Sequence, residues 1–206
     1  MIKITAVWFA GVLSVAPAFT QNLLVNPGFD LSDQLTGWTC TSSYGVESWS
    51  THDRQDSTDS GSMEHNIPVT QTANQKILCS QCVPVQELWS YAMSSWYYWP
   101  NVPGLSAQGS TRIGFNFHVE VDCTDQAVLG PMKLGYPHYD TWSSVETIEG
   151  VAPAGAQAAE VYFVTWKDVA DHEVRARVDD LDFSSTILFG DGFESGLLDA
   201  WSASVP

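Results

Sequence analysis

Between Thr111 and Val121 apolar and polar residues alternate without a break. Ile113, Phe115, Phe117, Val119 and Val121 fall on one side, and Arg112, Gly114, Asn116, His118 and Glu120 on the other. Successive side chains of a strand point to opposite faces, so this stretch predicts a strand with one buried and one polar face. Trp89–Trp99 predicts a second long strand, rich in aromatic and small residues. Glu160–Trp166 and Val174–Phe183 predict two more, parted by a polar turn at Lys167–His172, while Asn22–Val25 and Lys76–Val83 read as shorter strands. Pro and Gly punctuate the connections, as in Pro100-Asn101-Val102-Pro103-Gly104 and Val151-Ala152-Pro153-Ala154-Gly155. Beyond the first residues no window carries a helical period. Many short strands with turn signals between them predict an all-β chain, a β-sandwich or jelly roll.

The N-terminus reads differently. Lys3 precedes an apolar run from Ile4 to Val15, which ends in Ala16-Pro17-Ala18. A positive start, an apolar stretch and an A-x-A end predict a secretory signal over residues 1–18, cleaved on export. The run is shorter than the ~20 apolar residues of a membrane span, so a secreted protein with no membrane span is expected, extracellular, at the cell surface or in the periplasm. In an oxidising setting the even set Cys40, Cys79, Cys82 and Cys123 predicts two disulfides, with three connectivities open. Cys79-Ser80-Gln81-Cys82 lacks the second C-x-x-C or the His pair of a zinc site.

Composition narrows the function classes. The 206 residues are 44% hydrophobic and 12% aromatic, enough for one sizeable core. Against 8 Lys+Arg stand 24 Asp+Glu, for a formal charge of −16. That excess argues against nucleic acid, whose phosphates are bound through Lys and Arg. Acidity suits a calcium site, and the loop Asp53–Glu64, with Asp53, Asp56 and Asp59 among serines, has the oxygen-rich character of a hard-cation site.

The polar side of Thr111–Val121 offers Arg112, Asn116, His118 and Glu120 in one line, and one parity of the aromatic strand offers Ala92, Ser94, Trp96 and Tyr98. Laid side by side, the two strands predict a shallow trough lined by the Trp96 and Tyr98 rings and by the polar row, with Trp142 and Trp166 in support. Trp38, Phe29 and Phe183 are assigned to the core. Catalysis is not expected. No nucleophile elbow or H-E-x-x-H occurs, and His52, His65, His138 and His172 fall mostly in polar loops without ligand spacing.

Asn22-Leu23-Leu24-Val25-Asn26-Pro27-Gly28-Phe29-Asp30, followed by Gly37-Trp38, resembles the opening of the cellulose- and xylan-binding modules, jelly rolls with a galactose-binding-like fold that often accompany secreted glycoside hydrolases. Ile77–Val83, Trp89–Trp96, Trp142 and Val178-Asp179-Asp180-Leu181-Asp182-Phe183 resemble later stretches of that family in the expected order. The resemblance spans about residues 22–183 and implies one domain over 22–184, a polysaccharide or other glycan as partner, no catalysis and a monomer. It also implies first and last strands lying side by side, so that Asp30 and Asp180 share a structural calcium, with Asp59 as the loop ligand. An extracellular adhesion, matrix or scaffold protein using the same sandwich is the alternative. The tail, 185–206, resembles a Gly-Phe-Glu-Ser-Gly…Trp-Ser terminus of exported bacterial proteins, and its Gly192-Phe193-Glu194 and Trp201 echo Gly28-Phe29-Asp30 and Trp38.

Overall fold

The computed structural model describes residues 21–185 except Leu31, Ser43 and 102–108. The predicted signal and all but the first residue of the predicted tail lie outside the described residues, as do Val102, Pro103 and Gly104. Ten strands follow in chain order: β1 (Thr39–Ser42), β2 (Val46–Ser50), β3 (Ser62–Ile67), β4 (Gln75–Pro84), β5 (Ser90–Tyr98), β6 (Gly109–His118), β7 (Met132–Gly135), β8 (Ser143–Val151), β9 (Ala158–Lys167) and β10 (Val174–Ser185). They form two antiparallel five-stranded sheets, β1-β4-β9-β6-β7 and β2-β3-β10-β5-β8. The predicted all-β sandwich is the fold observed. Among the described residues no helix is long and apolar enough to cross a membrane.

Alternation builds the layer between the sheets. From the first sheet Ile113, Phe115 and Phe117 of β6 and Ala159, Val161 and Phe163 of β9 point inward; from the second, Tyr91, Met93, Tyr97, Ala176, Val178 and Phe183 meet them. Phe115 packs edge-on against Phe183, and Tyr91 stacks on Phe183. Burying each large apolar side chain contributes roughly 1.5–3 kcal/mol, and this drives strands distant in sequence together. Phe29, Trp38 and Phe183 all lie in the core, as expected.

Several element assignments change. β6 stops at His118, and Val119 and Val121 are 50% and 70% exposed. The Asp125 carboxylate ends the strand by accepting the Val119 N–H (3.1 Å) and bonding His118 Nδ1 (2.8 Å). Asn22–Val25 is not a ladder strand. It lies along β10 all the same: Leu23 N–H donates to Phe183 O (2.8 Å), and the Asn22 side chain donates to Leu181 O and accepts from Phe183 N–H. The first described residues and the last strand are therefore adjacent. Ser62–Glu64 belongs to β3 rather than to the acidic loop, Ser185 belongs to β10, and His65 is buried in the core.

Of the three cysteine connectivities the structure has Cys40–Cys79 and Cys82–Cys123. The first joins residues directly opposite each other on β1 and β4. The second ties the end of β4 to the segment that follows β6.

Candidate functional site

The expected trough is divided between two sheets. Trp96 and Tyr98 stand on β5 in one sheet, whereas Arg112, Asn116 and His118 stand on β6 in the other. The parity within each strand is as expected: Tyr97 and Trp99 are buried and Trp96 and Tyr98 face outward. The pairing is not, because β6 lies between β9 and β7, and β5 between β10 and β8. Each half therefore looks out from its own side of the sandwich. Trp142 joins the β5 half and Trp166 the β6 half. Glu120 falls beyond the end of β6 and is exposed.

On the β5 side the rings are already covered. The Arg54 guanidinium lies 4.6 Å over Trp96. Tyr98 has His52 at 4.4 Å, Trp142 at 5.4 Å and the Arg177 guanidinium at 5.5 Å, and its hydroxyl donates to Asp140 Oδ1 at 3.2 Å. Arg177 is in turn held by Glu64 at 2.8 Å. Cation–π contacts and ion pairs thus occupy the ring faces a ligand would use.

On the other side, the middle strand β9 carries Glu160, Tyr162, Val164 and Trp166 outward, opposite Asn116, Gly114, Arg112 and Ser110 of β6. β4 places Lys76 opposite Trp166 and Ser80 opposite Tyr162. Gly114 matters for what it lacks. A Cβ there would sit 2.5 Å from Tyr162 Oη and 2.6 Å from Cζ, so the tyrosine tip occupies the space above a bare stretch of β6. A glycine inside a strand often marks such a close approach. Of the four aromatic residues facing outward on β5 and β9, Tyr162 is the one with no ring or cation stacked on it among the described residues. Burial pushes its hydroxyl up from the usual phenol range, and the charge of Glu160 adds to this while Arg112 opposes it. The hydroxyl therefore senses both charges.

Hydrogen-bonding groups flank that ring. Glu160 and Arg112 are half-buried. Asn116 accepts the Gly130 N–H through Oδ1 at 3.3 Å, and its amide NH2 has no partner among the described residues. His118, expected to meet ligand, is buried instead, held by Asp125 and 4.0 Å from Glu160 Oε2. It positions rather than displays. Sequence reading missed Tyr162 and Glu160 as site residues, although the glycine opposite Tyr162 was a signal for the first.

The three expected calcium ligands do not converge. The one trio of metal-ligating groups within 4.8 Å among the described residues is Cys40, His65 and Cys79, whose sulfurs are bonded to each other. Asp30 and Asp59 are exposed. Asp180 sits at a β10 bulge with φ of 46°, close to Gly28, and its carboxylate is held by the Arg54 guanidinium and by Gln55 Nε2 at 3.2 Å. A guanidinium thus supplies positive charge to Asp180. Beside it Asp179 is fully buried and accepts the N–H groups of Arg54 and Asp180. Desolvation lifts its carboxyl to about 7. Burial acts the same way on Asp53, but bonds from Ser57, Ser60 and Gln55 outweigh it and hold that carboxyl below its usual value.

A cleft of about 380 Å³ opens at Val85–Glu87, Val121 and Gly155–Gln157. Its one acid, Glu87, already binds the Gly155 N–H, so few free groups converge there.

No family model and no curated protein matches the sequence. Solved structures match the fold. The enzymatically active domain of tailspike protein 4 of bacteriophage CBA120 superposes with a TM-score of 0.59 at 15% identity, over 80% of this chain and 21% of that one. A CBM61 module (TmCBM61) in complex with β-1,4-galactotriose does so at 0.52 and 11%, over 81% of this chain and 99% of the module. The CBM22-2 xylan-binding domain of Paenibacillus barcinonensis Xyn10C does so at 0.51 and 11%, over 78% and 98%. The match thus spans nearly the whole of the two binding modules and about a fifth of the tailspike domain. At these identities the likeness is one of fold.

Proposed function

We propose that the protein is an exported, non-catalytic carbohydrate-binding β-sandwich whose ligand lies on the outer face of the β1-β4-β9-β6-β7 sheet. The observation that carries this reading is Tyr162 resting over Gly114 with no ring or cation stacked on it, flanked by Glu160, Arg112 and Asn116. A sugar presents an apolar C–H face and a rim of hydroxyls. An aromatic ring suits the first, and carboxylate, guanidinium and amide groups suit the second. The likeness in fold to modules named for galactotriose and xylan supports the class. Two disulfides fit an oxidising compartment.

The same face supports the non-catalytic reading. Glycoside hydrolysis ordinarily needs two carboxyl groups flanking the scissile bond. Among the outward residues of β4, β9 and β6 Glu160 is the one carboxylate. It serves as an acceptor for hydroxyls.

A glycan array followed by titration calorimetry tests the site. Tyr162→Ala is expected to abolish binding and Trp96→Ala to leave it unchanged, with thermal melts confirming that both variants fold. Loss with Trp96→Ala and not with Tyr162→Ala would move the site to the opposite sheet. Failure of the wild type to bind any glycan would overturn the proposal in favour of an adhesion or scaffold role.

A further inference from the structure

We infer that the glycan is acidic, and that Lys76 and Arg112, mounted on Trp166, form a subsite for an anionic substituent: a uronate carboxylate or a sulfate ester. The inference rests on the proposed reading of this sheet face. Seven Lys and Arg residues lie in the described part of the chain. Arg54, Lys133, Arg175 and Arg177 are paired with Asp180, Glu146, Glu173 and Glu64. Lys167 is buried, its ammonium donating to Pro68 O at 2.8 Å and Gln71 O at 2.7 Å. Lys76 and Arg112 are the two left without an ion pair or hydrogen bond among the described residues. In a chain with three acids for every base, two cations with no acceptor of any kind among the described residues are the exception.

They also share one support. Arg112 Cζ lies 4.8 Å and Lys76 Nζ 5.5 Å from the Trp166 ring centroid, and the two arrive from opposite neighbours, β6 and β4, of the strand that carries the ring. The indole attracts each cation and holds both beside it. With no counter-ion the pair repels, and a bound anion relieves that repulsion. Arg112 Nε is buried without an acceptor, which leaves the terminal N–H groups of the guanidinium to meet an anion. A guanidinium offers two parallel N–H bonds to a planar carboxylate or to two oxygens of a sulfate, and a neighbouring ammonium adds a point charge.

The position of Glu160 gives the subsite a direction. Six residues along β9 separate Glu160 from Trp166, roughly 20 Å at strand spacing. A carboxylate at the far end repels a second anion and accepts neutral hydroxyls. The acid is therefore read at the Trp166 end and neutral sugar at the Tyr162–Glu160 end. A sparsely substituted polymer fits this better than a uniformly charged one, which the net charge of −16 would also repel.

Titration calorimetry with two matched pairs of probes tests the inference: glucuronoxylan beside its carboxyl-reduced form, and a partly sulfated galactan beside its desulfated form. One charged member is expected to bind roughly tenfold or more tightly than its neutral counterpart, the size of one charge-assisted hydrogen bond, and the pair that shows it identifies carboxylate or sulfate. The preference is expected to fall with added salt. Lys76→Gln, which leaves the groups around Tyr162 in place, is expected to narrow the gap between charged and neutral members with neutral binding unchanged, and adding Arg112→Gln is expected to close the gap. Equal affinity of the wild type for both members of each pair, with Tyr162→Ala still abolishing binding, would overturn the acidic ligand and leave the sugar-binding face standing. No binding to any of the four would overturn the acidic ligand, and failure on the whole glycan array as well would overturn the sugar-binding face.

Discussion

Asp179→Asn, measured against pH, probes the electrostatics of the β10 bulge. Asp179 is fully buried, and burial lifts its carboxyl from 3.8 to about 7, with the charges of Asp180 and Asp53 adding to the effect. Between those values the folded protein holds a proton that the unfolded chain has lost. This group's contribution to stability is therefore present at low pH and disappears as the pH rises through 7. Going from roughly pH 8 to roughly pH 5 it stabilises the fold by roughly 2–3 kcal/mol. His65 acts in the opposite sense. It is wholly buried, bonded to Thr165 Oγ1 at 2.9 Å, and desolvation lowers its pKa from 6.5 to about 3. Here the unfolded chain takes up the proton first, so about 2 kcal/mol is lost over the same interval. His52, lowered chiefly by burial, works in the direction of His65. The opposing contributions leave the wild type nearly level on their account. Asp179→Asn removes one side of that balance, and the variant is expected to be about 2 kcal/mol less stable at the lower pH than at the higher. Urea denaturation of both proteins at the two pH values measures the difference directly, and the remaining acids cancel in the comparison. The same pH dependence in variant and wild type would refute the assignment of the proton to Asp179.

Gly114→Ala places a methyl against Tyr162 Oη, the far end of a side chain that can lift. Stability is expected to fall by about 1–3 kcal/mol while glycan affinity drops much further, read by a thermal melt beside calorimetry. Lys167→Met leaves the Pro68 and Gln71 carbonyls without their donor, and urea denaturation should show a loss of about 2–3 kcal/mol. Chelation by EDTA is expected to leave the melting temperature unchanged, because Arg54 already supplies positive charge to Asp180. A fall on chelation would show that the native state binds a cation.

What could be read from the sequence divides along a physical line. The long strands β4, β5, β6, β9 and β10 announced themselves because each must keep one row of apolar residues in the core; Ile113, Phe115 and Phe117 suffice for β6. Short β1, β2 and β7 have no such row, and β8 turns only Val145 and Ile148 inward. The facing direction of Trp96, Tyr98, Arg112 and Asn116 was legible for the same reason as the long strands. Their neighbours were not. Which strands pair is decided by contacts across the whole chain, and β5 and β6, consecutive in sequence, went to different sheets. That one fact divided the expected trough. The approach of Asn22 and Leu23 to β10 was anticipated, but Arg54, whose backbone N–H bonds Asp179 and whose guanidinium holds Asp180, carried no signal as a cation partner.

Strand β9 carries two messages on one ribbon. Ala159, Val161, Phe163 and Thr165 spell the fold, while Glu160, Tyr162 and Trp166, read in between, spell what the surface recognises under the proposed function. Because neighbouring letters belong to different texts, specificity can be rewritten by single substitutions at alternate positions without touching the interior. On the proposed reading, the ligand could change along Glu160–Trp166 while the skeleton stayed the same.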